Sequence, residues 1–208
     1  MFFRESAMTN ITAVILAAGS SRRLGFNKLC VRINGEAVIR RTARLFVEVP
    51  VGEVIVVTGF ESERIEQELS GLPVKIVWNE RHEEGMSSSV KAVLPAIANA
   101  DIILFHLGDK PFIEPAVISY LIETYEAARY GIVLPVHEGE KGHPVIIDRR
   151  KYFTEMNGVD GDRGLREVVE AHPEDLYCIE GGEGVVLDLD TEDDLESARR
   201  RGFTVEKG

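Results

Sequence analysis

Residues 13–28 read AVILAAGSSRRLGFNK, and every other part of the chain is interpreted outward from them. Ala13 to Leu16 is an uninterrupted apolar run, which predicts a buried strand. Behind it the character changes: Ala17 and Ala18 are small, Gly19 and Gly25 tolerate positive φ, and Ser20 and Ser21 add hydroxyl groups. Such a loop admits a ligand close to its backbone and can turn successive N–H groups toward an anion. Arg23 and Lys28 place full positive charges at its far end. Phosphate is the expected guest, and an ordinary strand-to-helix turn with solvated arginines is the plainer alternative. Neither GxxxxGK[ST] nor GxGxxG matches the stretch.

The chain has 208 residues, enough for one sizeable core and short for two, so residues 11–208 are expected to form a single domain. Residues 1–10 precede the first strand and are expected to be a disordered extension or an upstream start, with Met8 as the other beginning. A formal net charge of −11 repels nucleic acid and anionic membrane surfaces at long range. A small phosphorylated ligand needs only a local positive pocket. Cys30 and Cys178 lie in apolar runs and are expected to be buried free thiols in a reducing compartment. There is no run of eighteen apolar residues and no signal-peptide core, so a cytoplasmic location is expected.

Beyond the loop, Leu29 to Ile33 is a short apolar run closed by the turn pair Asn34-Gly35. Ala37 to Val47 carries apolar residues at helical spacing, with Arg40, Arg41 and Arg44 on the face expected to be solvated. Glu53 to Thr58, Ser62 to Leu69 and Val74 to Trp78 continue as strand, helix, strand, the rhythm of βαβ crossovers and a parallel sheet. A polar lapse from Asn79 ends in Gly85-Met86-Ser87-Ser88-Ser89 before a helix expected over Val90 to Ala98. The serines can cap that helix, contact a ligand at its N-terminus, or do both.

Asp101 to Leu107 is the most apolar strand and is expected to be central; Gly108-Asp109-Lys110-Pro111 follows it. In an open α/β sheet ligands sit beyond the strand carboxyl ends, which brings Asp109 beside the first loop. An aspartate there is also a common turn former, but a triphosphate needs Mg²⁺, and Mg²⁺ prefers carboxylate oxygens. His106 reads as a core histidine and His143 as a turn residue. Glu114 to Tyr130 is a helix; Gly131 to Val136 and Gly142 to Ile147 are strands joined by a hairpin, which makes one of them antiparallel. Helices near 149–156 and 165–171, strands at 176–179 and 185–187, and a final helix opened by Thr191 complete the reading. Asp188 and Asp190 alternate, so only one of them faces the crevice with Asp109.

Taken together, six segments in order resemble the nucleotidyltransferases that attach a nucleotide to molybdopterin, the cytidylyltransferase branch above all. LAAGSSRRLGFNK resembles the family's nucleotide loop, with its spacing of Arg23, Gly25 and Lys28; GMSSSVKAVL resembles GLSxSL, and GDKP resembles GDQP. GHPVII, GDRGLREVV and DLDTEDDL resemble GHPV, GDxGAR and DIDTPEDL. The resemblance implies a Rossmann-like three-layer α/β/α sandwich, mostly parallel with one antiparallel strand, of the nucleotide-diphospho-sugar transferase kind. It implies that Leu16, Ala17, Ala18, Gly19, Arg23, Lys28, Ser87 and Ser88 bind nucleotide, and that Arg23, Lys28 and Asp109 act in catalysis. It implies Mg²⁺, with Mn²⁺ as a substitute, on Asp109 and Asp190, and an acceptor beside Lys110 and His143. Lys110 replaces the family's usual glutamine, and Leu165 an alanine.

The reaction so implied is transfer of CMP from CTP to the phosphate of molybdopterin, with release of pyrophosphate and a molybdoenzyme as the eventual recipient. The alternatives are GTP as donor, another phosphorylated acceptor, or a non-catalytic nucleotide-binding protein that delivers the cofactor.

Overall fold

The computed structural model describes residues 9–21, 23–128 and 130–208. The opening apolar run is β1 (Ile11–Ala17). A hairpin of β2 (Arg32–Ile33) and β3 (Glu36–Ala37) follows, then α1 (Val38–Val47), β4 (Glu53–Thr58), α2 (Ser62–Leu69) and β5 (Lys75–Trp78). Next come α3 (Met86–Val93), β6 (Ile102–Leu107), α4 (Pro115–Ala128), β7 (Ile132–His137), β8 (Glu140–Lys141) and β9 (Val145–Asp148). The chain closes with α5 (Arg149–Gly158), α6 (Arg166–Ala171), β10 (Leu176–Glu180), α7 (Glu192–Arg200) and β11 (Val205–Glu206).

The main sheet runs β10-β7-β9-β6-β1-β4-β5. β6 is the middle strand of that order, and β1 lies beside it, paired in parallel with β4 and β6. β9 is antiparallel to both of its neighbours, and the two-residue β8 pairs antiparallel with β7. β11, β2 and β3 form a separate three-stranded sheet. Asn34 and Gly35 both have positive φ, the primed turn that matches the twist of a tight hairpin.

Alternation along the strands explains the three layers. Ala13 and Ile15 of β1, with Val54 and Val56 of β4, pack on one side with residues of α1, α2, α4 and α7. Val14, Ile55 and Val57 pack on the other with α3, α5 and α6. Both faces are covered, so the parallel strands read as continuous apolar runs. β1 continues through α1 to β4 on one side, while β6 lies on its other side. The chain therefore reverses direction across the sheet at the carboxyl end of β1, where an open α/β sheet leaves a crevice.

Several expectations need correction. Residues 185–187 are not a strand; Glu183–Val185 is a single tight turn. The carbonyls of Val185 and Val186 are taken by distant donors, His143 N on Val185 O and Lys110 Nζ on Val186 O. Cys30 is buried, but Cys178 is exposed, because β10 is an edge strand on which Ile179 is the buried residue. The helix expected from Val90 begins at Met86. The arginines of α1 are tethers as well as a solvated face: Arg40 donates to the carbonyls of Glu68 and Ser70, and Arg41 to that of Pro111. Of the expected extension, residues 1–8 lie outside the described residues. Asn10 belongs to the fold, its N–H donating to Asp101 and its side-chain amide to the Asn99 carbonyl. Among the described residues no helix is long and apolar enough to cross a membrane.

Candidate active site

The loops after β1 and β6 are tied together at their roots. Gly108 N donates to Leu16 O at 2.9 Å, and a methyl group at Gly108 would stand 3.2 Å from that same oxygen. Thr42 of α1 reaches the Gly108 carbonyl. Asp109 is thereby fixed beside the first loop.

Lys28 is aimed from the other end of that loop. Its N–H donates to Ser21 Oγ at 3.1 Å, and it opens a short turn whose cap, Asn27, accepts from Leu29 N. The Lys28 ammonium then donates to Asp109 Oδ2 and, at 2.7 Å, to Asp190 Oδ1. Burial works against the Lys28 charge, but Asp109 and Asp190 outweigh it and hold its pKa above the usual value. Arg23, largely exposed, pairs with the remaining oxygen of Asp190 at 2.5 Å.

Asp190 is held by its own helix. Its N–H donates to Asp194 Oδ2 at 3.0 Å, while Thr191 and Asp194 form a capping box at the start of α7. Leu189 N donates to Asp109 O, which locks the two acidic segments together. Thr191→Ala should therefore cost about 1 kcal/mol in urea denaturation. Burial alone would raise the Asp194 pKa, but the bonds from Thr191 and Asp190 outweigh it and lower it. The stabilisation from Asp194 is thus complete above the unfolded aspartate pKa of about 3.9 and disappears as pH falls through its lower folded value.

A cavity of about 630 Å³ opens beside Lys28 and Asp109; Arg23 and Asp190 are not among the residues that line it. Leu16, Ala17, Ala18, Gly19, Lys28 and Asp109 line one side, and His82, Met86, Ser89 and Asp162 line the other. A second cavity of about 640 Å³ is lined by Lys141, His143, Arg163, Leu165 and Arg166 among others. Leu16, Met86, Leu107 and Asp162 belong to both, so the two cavities share a wall. The arrangement can hold an extended ligand with a polyanionic end at Lys28 and a second group next door.

Starting α3 at Met86 changes which serine faces the first cavity. Met86 and Ser89 are three residues apart and share a helix face. Ser89 lines the wall, whereas Ser87 is buried with no hydrogen-bond partner for its hydroxyl among the described residues. Ser88 donates back to the Gly85 carbonyl, and the Asn79 amide donates to Ser88 Oγ and Ser89 Oγ. The serines do not cap the helix; Gly85 holds the N-cap position.

Lys110 is buried and lines neither cavity; its ammonium donates to Val186 O at 2.7 Å and lies 3.6 Å from Asp188. Burial raises the Asp188 pKa, with Asp109 and Asp190 adding to the effect. By geometry Asp190, not Asp188, shares Lys28 with Asp109, while Asp188 lies beside Lys110. His106 is a core histidine as expected: one ring nitrogen meets the Lys110 carbonyl, and burial takes its pKa down to about 3. His143 does reach the second cavity, and burial lowers it to about 4, so both rings are neutral at pH 7.

Met86, Asp162, Arg163 and Arg166 are not singled out by the sequence, and Ser89 is named there only as one of three serines. A signal was present: they lie in the glycine-bearing segments GMSSSVKAVL and GDRGLREVV, whose Gly85, Gly161 and Gly164 prove to have positive φ. Carboxylate oxygens are the ligands Mg²⁺ prefers, and the ion keeps several waters, so two carboxylates suffice. Among the described residues no group of three or more His, Cys, Asp or Glu side chains is arranged to hold a metal. Asp109 and Asp190 fit the one-or-two-carboxylate pattern.

Over 195 residues the chain is 25% identical to the molybdenum cofactor cytidylyltransferase of Escherichia coli K12, covering 93% of this chain and 98% of that one. It is 26% identical over 207 residues to a probable molybdenum cofactor guanylyltransferase of Natranaerobius thermophilus, covering 92% and 96%. It is also 27% identical over 169 residues to the nicotine blue oxidoreductase of Paenarthrobacter nicotinovorans, covering 78% and 83%. Among solved structures, the Mycobacterium tuberculosis Rv0371c homologue from Mycobacterium sp. strain JC1 superposes with a TM-score of 0.81 at 27% identity, covering 92% and 98%. Residues 13–176 match the model of the MobA-like NTP transferase domain. The chain belongs to the MobA-like NTP transferase family and is a nucleotidyltransferase.

Proposed function

We propose that the protein transfers CMP from CTP to the phosphate of molybdopterin, releasing pyrophosphate, and that it works in the cytoplasm upstream of a molybdoenzyme. The observation that carries this reading is the meeting of Lys28, Asp109 and Asp190, with Lys28 and Asp109 lining the cavity formed by Leu16 to Ser20 and Asp190 behind them on the same ammonium. An acceptor phosphate oxygen bonds to the α-phosphorus while the bond to the β-phosphate oxygen breaks, and pyrophosphate leaves with the electron pair. Two anions must meet, so the demand on the protein is alignment and charge neutralisation. Backbone N–H groups at Ala18 to Ser20 cradle the triphosphate; Arg23 and Lys28 hold it and steady the departing pyrophosphate. His143, Leu165 and Arg166 line the acceptor side, while Lys110 acts at one remove by holding Asp188 and the 186 segment in place. No protein nucleophile is needed. Mg²⁺, or Mn²⁺ in its stead, would be held by Asp109 and Asp190 and would supply further charge neutralisation at the phosphates.

GTP is the second reading for the donor, because small residues and backbone dominate the wall from Ala17 to Gly19 and one relative bears a guanylyltransferase name. Kinship with an oxidoreductase does not redirect the chemistry, since the first loop lacks the GxGxxG pattern of dinucleotide sites. The test is incubation with molybdopterin, Mg²⁺ and each nucleoside triphosphate in turn, followed by mass analysis of the dinucleotide and a pyrophosphate assay. A cytidine dinucleotide is expected. A guanosine dinucleotide would change the donor, and no pyrophosphate from any triphosphate would refute transfer.

A further inference from the structure

Lys28 occupies the space between two acids by itself. Its ammonium touches Asp109 Oδ2 and Asp190 Oδ1, and Arg23 takes Asp190 Oδ2, so three of the four carboxylate oxygens are engaged by side-chain cations. The four groups balance, two positive against two negative. A divalent cation added alone would leave Lys28 and Arg23 without partners; a triphosphate added alone would face both carboxylates. We propose that Lys28 keeps the divalent cation's place between Asp109 and Asp190, and that metal and triphosphate bind as a unit by exchanging partners. The carboxylates pass from ammonium to metal, and the ammonium passes from carboxylates to phosphate.

This inference rests on the metal-triphosphate reading above and goes beyond it in making the two ligands interdependent. Relative exposure decides which cation carries the coupling. Arg23 is 70% exposed and can turn into water at small cost, whereas the Lys28 side chain is 14% exposed and would be stranded without a new anion. The four-carbon stem of lysine and its three rotatable donors suit such a swing. The carboxylates have less reach, because each is on a short side chain whose backbone is tied down, Asp109 O accepting from Leu189 N and Asp190 N donating to Asp194. The lysine therefore moves while the acids stay.

The test is titration of Mn²⁺ alone, read by loss of the free-ion paramagnetic resonance signal, on the full chain and on Lys28→Met, Lys28→Gln and Arg23→Met. CTP binding with saturating Mn²⁺ is measured by calorimetry on the wild-type chain, and urea midpoints check that each variant is folded. Both Lys28 variants should bind Mn²⁺ alone about 10-fold more tightly than the wild type, and Arg23→Met by less than about 3-fold. Equal or weaker Mn²⁺ binding by folded Lys28→Gln would overturn the exchange while leaving transfer standing. If the wild-type chain with saturating Mn²⁺ binds neither CTP nor, in the same calorimetry, GTP, both are overturned.

Discussion

Asp109→Ala should lower pyrophosphate release by about 10³-fold or more while costing only about 1–2 kcal/mol of folding stability. The asymmetry follows from the partners. Without Asp109, Lys28 retains Asp190 at 2.7 Å, so its charge is not abandoned in the interior. The reaction loses more, because Asp109 is the acid fixed at the root of both loops, through Gly108 to Leu16 and through its own carbonyl to Leu189. Asp109→Asn preserves shape and those backbone bonds, so a similar loss there would assign the effect to charge. Near-normal release from Asp109→Ala in a pyrophosphate-coupled assay would show the metal assignment to be wrong.

Gly85→Ala is expected to cost about 2–3 kcal/mol in urea denaturation and at least about 10-fold in kcat/KM for both substrates. Gly85 has φ +90 and ψ 178, a conformation essentially confined to glycine. Its added methyl would stand 2.4 Å from Asp162 Oδ1 and 2.8 Å from the Gly161 carbonyl. Just beyond, Ser87 N donates to Gly161 O, and a methyl at Gly164 would meet Met86 Sδ at 2.9 Å. The 85–89 and 161–166 segments thus seat one another, and Met86 and Asp162 line both cavities. Pushing them apart disturbs nucleotide and acceptor together. A variant impaired toward one substrate alone, with unchanged stability, would contradict that account.

Much of the fold is legible in the chain because buried strands and amphipathic helices are local patterns. β4 and α2 have the bounds expected from sequence, and β1, β6 and α4 differ by a few residues at their ends. The antiparallel strand also follows from a short connector: its Glu138 and Gly139, both at positive φ, make the turn between β7 and β8. Local reading fails where a segment's partners are remote. Residues 185–187 look like a strand until their carbonyls are claimed by His143 and Lys110. Cys178 looks buried until β10 is found at the sheet edge.

For the site, Lys28 and Asp109 follow from the loop chemistry and the strand ends, the family resemblance adds Asp190, and the tertiary structure brings the three together. The resemblance also points to Ser87 and Ser88 at the nucleotide, where the helix start at Met86 turns Ser89 to the wall instead. Composition, periodicity and turn chemistry determine which segments become strands, helices and close-approach loops, because those preferences act over a few residues. Tertiary structure alone decides which acid shares the lysine and which glycine cannot bear a side chain. Those outcomes depend on contacts between segments 76 to 162 residues apart, as Gly85 with Gly161 and Lys28 with Asp190 show, and strand order sets such contacts.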